Sequence, residues 1–183
     1  AGPRRAITRE EQERIRDYVT KGGHVLLLID PDTQSEINDF LGSWGLELGR
    51  GVLVDLQDRL AEGELTTLLV RTFTDHEITH ELPAVVLFPL ARHIHFHEEK
   101  GKDWDYVPLA RTSQRSWAET DLKGRVASYS EKDDIHGPLA VAAALTPKQQ
   151  PEEGKPRPAV VVVGNSAFAS NGYINVLGNS DFF

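Results

Sequence analysis

The chain has 183 residues, with 28 acidic against 20 basic side chains and a net charge of −8 at pH 7. That balance excludes a nucleic-acid or anionic-membrane surface, since phosphates require a basic footprint. There is no cysteine, which excludes disulfides, thiolate zinc sites and cysteine nucleophiles.

The length and the absence of a domain-splitting linker predict a single domain over residues 1–183. Thr8 and Glu11 have capping-box spacing, and Ile15, Tyr18 and Val19 continue as a helical stripe that Gly22-Gly23 stops. Val25 to Ile29 is a continuous apolar run, as expected of a strand covered on both faces, and Asp30-Pro31 ends it. Ile37, Phe40, Leu41 and Trp44 predict a second helix, closed by Gly45. Further strands are predicted at 51–55, 84–88, 93–96, 106–112 and 137–146, with a polar edge strand at 125–130. The segment from Leu56 to Leu82 reads as an excursion with a short helix, and residues 148–158 read as a solvated loop. The last strand is "AVVVVG", followed by a short closing helix over 174–177. Helix and strand in short succession give the α/β rhythm. No run reaches the roughly 20 apolar residues that span a bilayer. The chain contains no methionine and opens on "AGPRRAIT", which reads as a fragment of a longer protein.

Four stretches invite a chemical reading. "HEITH", His76 to His80, matches the zincin pattern in which two histidines on one helix face bind zinc. The β-branched Ile78 and Thr79 and the breaker Pro83 leave too short a helix for it, so a short surface helix or turn with histidines at its edge is the simpler account. His93, His95 and His97 alternate, so a strand would point them to one face, as a metal-binding ladder or as the wet side of a half-buried strand. "ARTSQRSWAETD" (110–121) offers hydroxyls, an arginine, Trp117 and Glu119, a combination suited to a small polar ligand at a strand end or to a loop that caps its own backbone. The Gly-x-Ser at Gly164–Ser166 resembles a nucleophile elbow. However, Phe168 occupies the position of the second glycine, and no histidine follows His136, so Asn165 and Ser166 are expected to fasten the strand end.

Taken together, "ITREEQERIRDYVTKGGHVLLLIDP", "DHEIT", "LARTSQRSWAETD", "HGPLAVAAAL" and "VVVVGNSAFASNGYINVLGNSDFF" resemble, in that order, the GldG-type auxiliary proteins of ABC transport systems, including those associated with gliding motility. A related domain occurs in an intraflagellar transport protein. The resemblance implies a flavodoxin-like α/β fold, a three-layer sandwich with a mostly parallel sheet like that of class I glutamine amidotransferases. It implies an extracytoplasmic (periplasmic) domain, anchored by membrane helices absent from this fragment, that accompanies the transporter's membrane and ATPase subunits. Without a cysteine nucleophile amidotransferase chemistry is excluded, and a non-catalytic domain with no cofactor or metal is expected, working through partner or ligand binding. The matching positions are Asp30, Thr112, Ser113, Ser116, Trp117, Glu119, Asn165, Ser166 and Asn171, which the resemblance places at strand ends as a ligand or partner surface. His76, Ile78 and Thr79 match a structural "H-x-I-T" phrase. The family's strand leading into "GP" survives only as Gly2-Pro3, so a first strand is expected to be missing and the exposed sheet edge would allow a homodimer. The alternatives are a small-ligand sensor using the Trp117 loop and a metal-dependent hydrolase using His76 and His80 or His93, His95 and His97.

Overall fold

The structure is a computed structural model that describes residues 7–33, 36–59, 65–82, 85–121, 127–149 and 156–183. Helix α1 (Arg9–Thr20) starts as the capping box predicts. The Glu11 amide donates to Thr8 Oγ1 (3.3 Å), and the Thr8 amide donates to Glu11 Oε2 (2.8 Å). It stops at Gly22, whose φ of +92° is costly for a residue with a side chain. From there the chain enters β1 (His24–Leu28), and α2 (Glu36–Gly42) leads into β2 (Leu46–Leu48).

The remaining strands are β3 (Val52–Asp55), β4 (Thr67–Val70), β5 (Thr72–Phe73), β6 (Val86–Pro89), β7 (Ile94–Phe96) and β8 (Trp104–Arg111), followed by β9 (Ser116–Glu119), β10 (Ile135–His136), β11 (Ala140–Pro147) and β12 (Ala159–Val163). The main sheet has the order β1-β12-β11-β7-β2, with β8 also pairing β11 and β5 pairing β8. Two small sheets, β10-β9-β3 and β4-β6, stand beside it. A 3-10 turn (Ala167–Ala169) and α3 (Asn179–Phe182) close the chain.

Strand β12 shows why its sequence is a string of valines. Val160 and Val162 face a core built from Ile37, Phe40, Leu41 and Trp44 on the helical side. Val161 and Val163 face a second core containing Leu53, Leu68, Phe88, Ala118 and Phe168. Alternate side chains point to opposite faces, so a strand covered on both needs apolar residues throughout.

This arrangement overturns the expected flavodoxin-like, amidotransferase-like sandwich with a mostly parallel sheet. Among the described residues only β1 and β12 pair in parallel, while β11 is antiparallel to β12, β8 and β7, and the small sheets are antiparallel as well. An apolar run reports that both faces are covered without reporting by what. Here helices cover one face, and the other meets β3, β4, β6 and β9 where a flavodoxin-like fold would place helices. Strand β1 is also less enclosed than expected, with Leu26 48% exposed.

Smaller corrections follow the same logic. Residues 174–177 form turns, and the closing helix lies just beyond them. Residues 127–130 are not a strand, while 116–119, expected in a loop, form the fully buried β9. Gly2-Pro3, Pro83 and positions 125–126 lie outside the described residues.

The C-terminal segment is fastened by one side chain. Asn179, fully buried, accepts from the Leu87 amide (2.8 Å) and donates to the carbonyls of Leu87 (3.1 Å), Phe168 (3.2 Å) and Tyr173 (3.0 Å). Removing it strands buried backbone groups, which typically costs 1–3 kcal/mol each before relaxation. Asn179→Ala is therefore expected to lower unfolding free energy by about 3 kcal/mol in urea titrations; a change below about 1 kcal/mol would show the segment to be held by other contacts.

Candidate functional site

The polar residues singled out in the sequence fall into two groups, each occupied with its own chain. At the end of β1, Asp30 accepts from the Ser166 amide (2.6 Å) and from Ser166 Oγ (2.5 Å). Asn165 Nδ2 donates to the Pro89 carbonyl (2.5 Å), and Asn165 Oδ1 accepts from the Phe168 amide (2.8 Å). The strand end at Gly164 is thus laced to β1 and β6. Asn171 stands apart, exposed on a turn.

The second group surrounds β8 and β9. Ser116 Oγ donates to the Ser113 carbonyl (2.7 Å) and lies 2.6 Å from Thr112 Oγ1, which accepts from the Leu139 amide (2.8 Å). Buried Trp117 donates its indole N–H to Glu119 Oε2 (3.2 Å), which also accepts from the Ser128 amide (3.1 Å). The residue that organises this loop is Asp55, absent from the sequence expectations. Its carboxylate, 1% exposed, accepts from Ser113 Oγ (2.6 Å) and the amides of Ser113 (2.7 Å), Gln57 (2.9 Å) and Asp58 (3.1 Å). An aspartate closing the wholly apolar "GVLV" was the available signal.

"HEITH" forms a turn rather than a helix. Buried Thr79 anchors it by donating to the Thr74 carbonyl. The imidazoles are spent locally: His76 Nδ1 accepts from the Ile78 amide (3.2 Å), and His80 Nδ1 contacts the Glu77 carbonyl (2.9 Å). Among the described residues no group of three His, Asp or Glu side chains is placed to hold a metal ion.

The histidine ladder leads to a large open concavity. An open cleft of 820 Å³ is lined by His93, His95 and His97, by Glu47 of β2 and Arg50 just after it, by Tyr106 and Arg111 of β8, and by Pro138 and Leu139. The three rings share this cleft but differ in setting. His97 Nε2 lies 2.6 Å from Glu47 Oε2, and this hydrogen bond holds the Glu47 carboxyl below its usual range. His95 is exposed and meets His97 edge to face at 4.6 Å. His93 is only 4% exposed, its Nδ1 has no hydrogen-bond partner, and its ring fills the space beside Gly49, where a Cβ would stand 1.8 Å from Cε1. Burial, reinforced by the charges of Arg92 and His95 and opposed by Glu47, pushes the His93 pKa down to about 4.

Arg92 sets this geometry from behind. Its buried guanidinium donates Nε (3.0 Å) and Nη2 (2.7 Å) to the Gly49 carbonyl and Nη1 (3.2 Å) to the Asp30 carbonyl. Its backbone amide donates to the Gly164 carbonyl (2.8 Å).

Comparison with known proteins agrees with this architecture. The model of the family described as "ABC-type uncharacterized transport system" matches residues 1–183. No curated protein matches the chain. Among solved structures, one described as "mmIFT52 N-terminal domain" is similar with a TM-score of 0.67 at 17% identity, over 99% of this chain and 70% of that one. At that identity the likeness concerns the fold alone, and it supports the strand-rich, mixed sheet over a flavodoxin-like one.

The state of His93 gives a pH dependence. The unfolded chain takes up a proton on this ring near pH 6.5, whereas the folded chain resists until about pH 4. The fold is therefore favoured fully above pH 6.5 and loses stability as pH falls toward 4, by about 3 kcal/mol at most, after which the loss levels off. Urea midpoints at pH 7 and pH 4.5 are expected to differ less in His93→Leu than in the wild type. Equal differences would mean that His93 titrates normally.

Proposed function

The chain belongs to the family of ABC-type uncharacterized transport systems, and from that premise we propose that it is an extracytoplasmic, non-catalytic auxiliary domain that works by binding. Its partners are the membrane and ATPase subunits of the same system, as in the GldG-type proteins it resembles. The observation that carries the binding reading is the contrast between its polar groups. The strand-end hydroxyls and carboxylates are bonded to their own backbone, as at Asp55 with Ser113 and Asp30 with Ser166. The cleft beside β7, by contrast, presents Arg50 and Arg111, which have no ion-pair or side-chain hydrogen-bond partner among the described residues. A spent hydroxyl fastens a loop, and a free one is available to a ligand.

Membrane attachment in this reading comes from outside the described helices, none of which is long and apolar enough to cross a bilayer. Among the described residues β1 pairs with β12 alone, and Leu26 on it is 48% exposed. An edge of this kind is a template for pairing with a second copy.

The test is co-purification of the tagged full-length protein with its permease and ATPase from membranes, combined with labelling. Because the chain has no cysteine, Ser180→Cys introduces a single thiol into the domain. The reading expects both subunits to co-purify and a membrane-impermeant maleimide to label intact cells. The isolated domain is expected to self-associate at high concentration in sedimentation. Labelling only after lysis would overturn the location, failure to co-purify would overturn the transporter role, and a strict monomer would overturn the edge pairing.

A further inference from the structure

The strand registers set the cleft's free charges on or just after the strands around β7 and β11. Ala140 of β11 is opposed by Ile94 of β7 on one edge and by Arg111 of β8 on the other. Leu48 is opposed by Ile94, the Gly49 amide donates to the His93 carbonyl (2.9 Å), and Arg50 follows the glycine that packs on the His93 ring. Arg50 and Arg111 are both exposed, and neither has an ion-pair or side-chain hydrogen-bond partner among the described residues. The acidic groups of the same cleft are differently placed. Glu47 is held by His97, and Asp133 accepts from Ser130 Oγ (3.1 Å). Glu98 lies past Phe96, on a rim shared with Trp104, Asp105 and Lys148. The cleft lining therefore carries two uncommitted guanidiniums, on or just after strands that flank β7 and β11, with the buried ring of His93 behind them, on a protein whose net charge is −8. Between these groups the lining is apolar, with Ile94, Pro108, Pro138 and Leu139.

We propose that this cleft binds a small amphipathic organic anion. Arg50 and Arg111 supply the positive charge for its head, Pro108, Pro138 and Leu139 receive its apolar body, and the buried His93 ring forms part of the wall. Guanidinium groups suit carboxylate and phosphate equally, because both present paired oxygens to a planar fork of N–H donors. This assignment deepens the binding reading of the domain and rests on it.

Isothermal titration calorimetry of the purified chain tests it, using phenylacetate, phenyl phosphate and, as an uncharged body of the same shape, phenylacetamide. Saturable binding is expected for at least one anion, with the amide at least about tenfold weaker. Whichever anion binds more tightly identifies the head group. Arg50→Ala and Arg111→Ala are each expected to weaken binding by about tenfold to a hundredfold, while Arg9→Ala, on α1 away from the cleft, leaves it unchanged. No saturable binding of either anion, equal binding of the amide, or folded Arg50→Ala and Arg111→Ala variants that bind like the wild type would overturn the proposal. Loss of anion binding with co-purification intact removes only the cleft assignment; intact anion binding without co-purification removes only the transporter role.

Discussion

A buried guanidinium with carbonyl oxygens for partners ties this fold together. Arg92, 6% exposed, reaches Gly49 beyond β2 and Asp30 beyond β1, while its backbone meets Gly164 beyond β12. Burial lowers its pKa from the ordinary arginine value, opposed by the charge of Asp32. A desolvated cation tolerates little movement of the oxygens that satisfy it, since each lost bond leaves charge unpaired in a poorly polarisable medium. Gly164 records the same constraint, because a Cβ there would stand 2.1 Å from the Arg92 carbonyl oxygen. Three strand ends are thereby held in register, and the next residue, His93, is set against Gly49 at the mouth of the cleft.

The placement separates two kinds of polar residue that look alike in sequence. Ser113 and Ser166 sit at strand ends, where an α/β fold would present ligand-binding groups, yet both are bonded to buried or half-buried carboxylates of their own chain. Arg50 carries no motif, Arg111 falls inside the "ARTSQRSWAETD" stretch, and the pairing of Ala140 with both Ile94 and Arg111 relates their strands across the cleft. The family match places the chain in an ABC-type transport family and the fold likeness concerns architecture alone; in the proposed reading, the chemistry of recognition lies in what the fold leaves unspent.

Local physics was legible in the sequence wherever it decided the outcome. The capping box at Thr8 and Glu11, the stop at Gly22 and the strands of valine and alanine follow from short-range rules and stand as expected. The alternation of His93, His95 and His97 did bring them to one cleft. Strand direction was not legible, because β12 reads the same whether its neighbour runs parallel, as β1 does, or antiparallel, as β11 does. Strand β9 escaped notice because its serine, tryptophan and glutamate look like a loop until Ser116 is seen to bond the Ser113 carbonyl, and Glu119 to accept from the Trp117 indole and the Ser128 amide. The candidate site depends on long-range register, which is why its arginines could not be picked out from spacing.

The central claim is that the strand-end residues are structural and that the cleft is the binding face. Two-dimensional amide NMR of the labelled chain, titrated with the tighter-binding aryl anion, tests this most directly. The account predicts saturable shifts centred on Gly49, Arg50, Ile94, Arg111 and Leu139, with Asp30, Ser113 and Ser166 unmoved. Shifts centred on Asp30, Ser166 and Asn171, with the cleft amides silent, would contradict it.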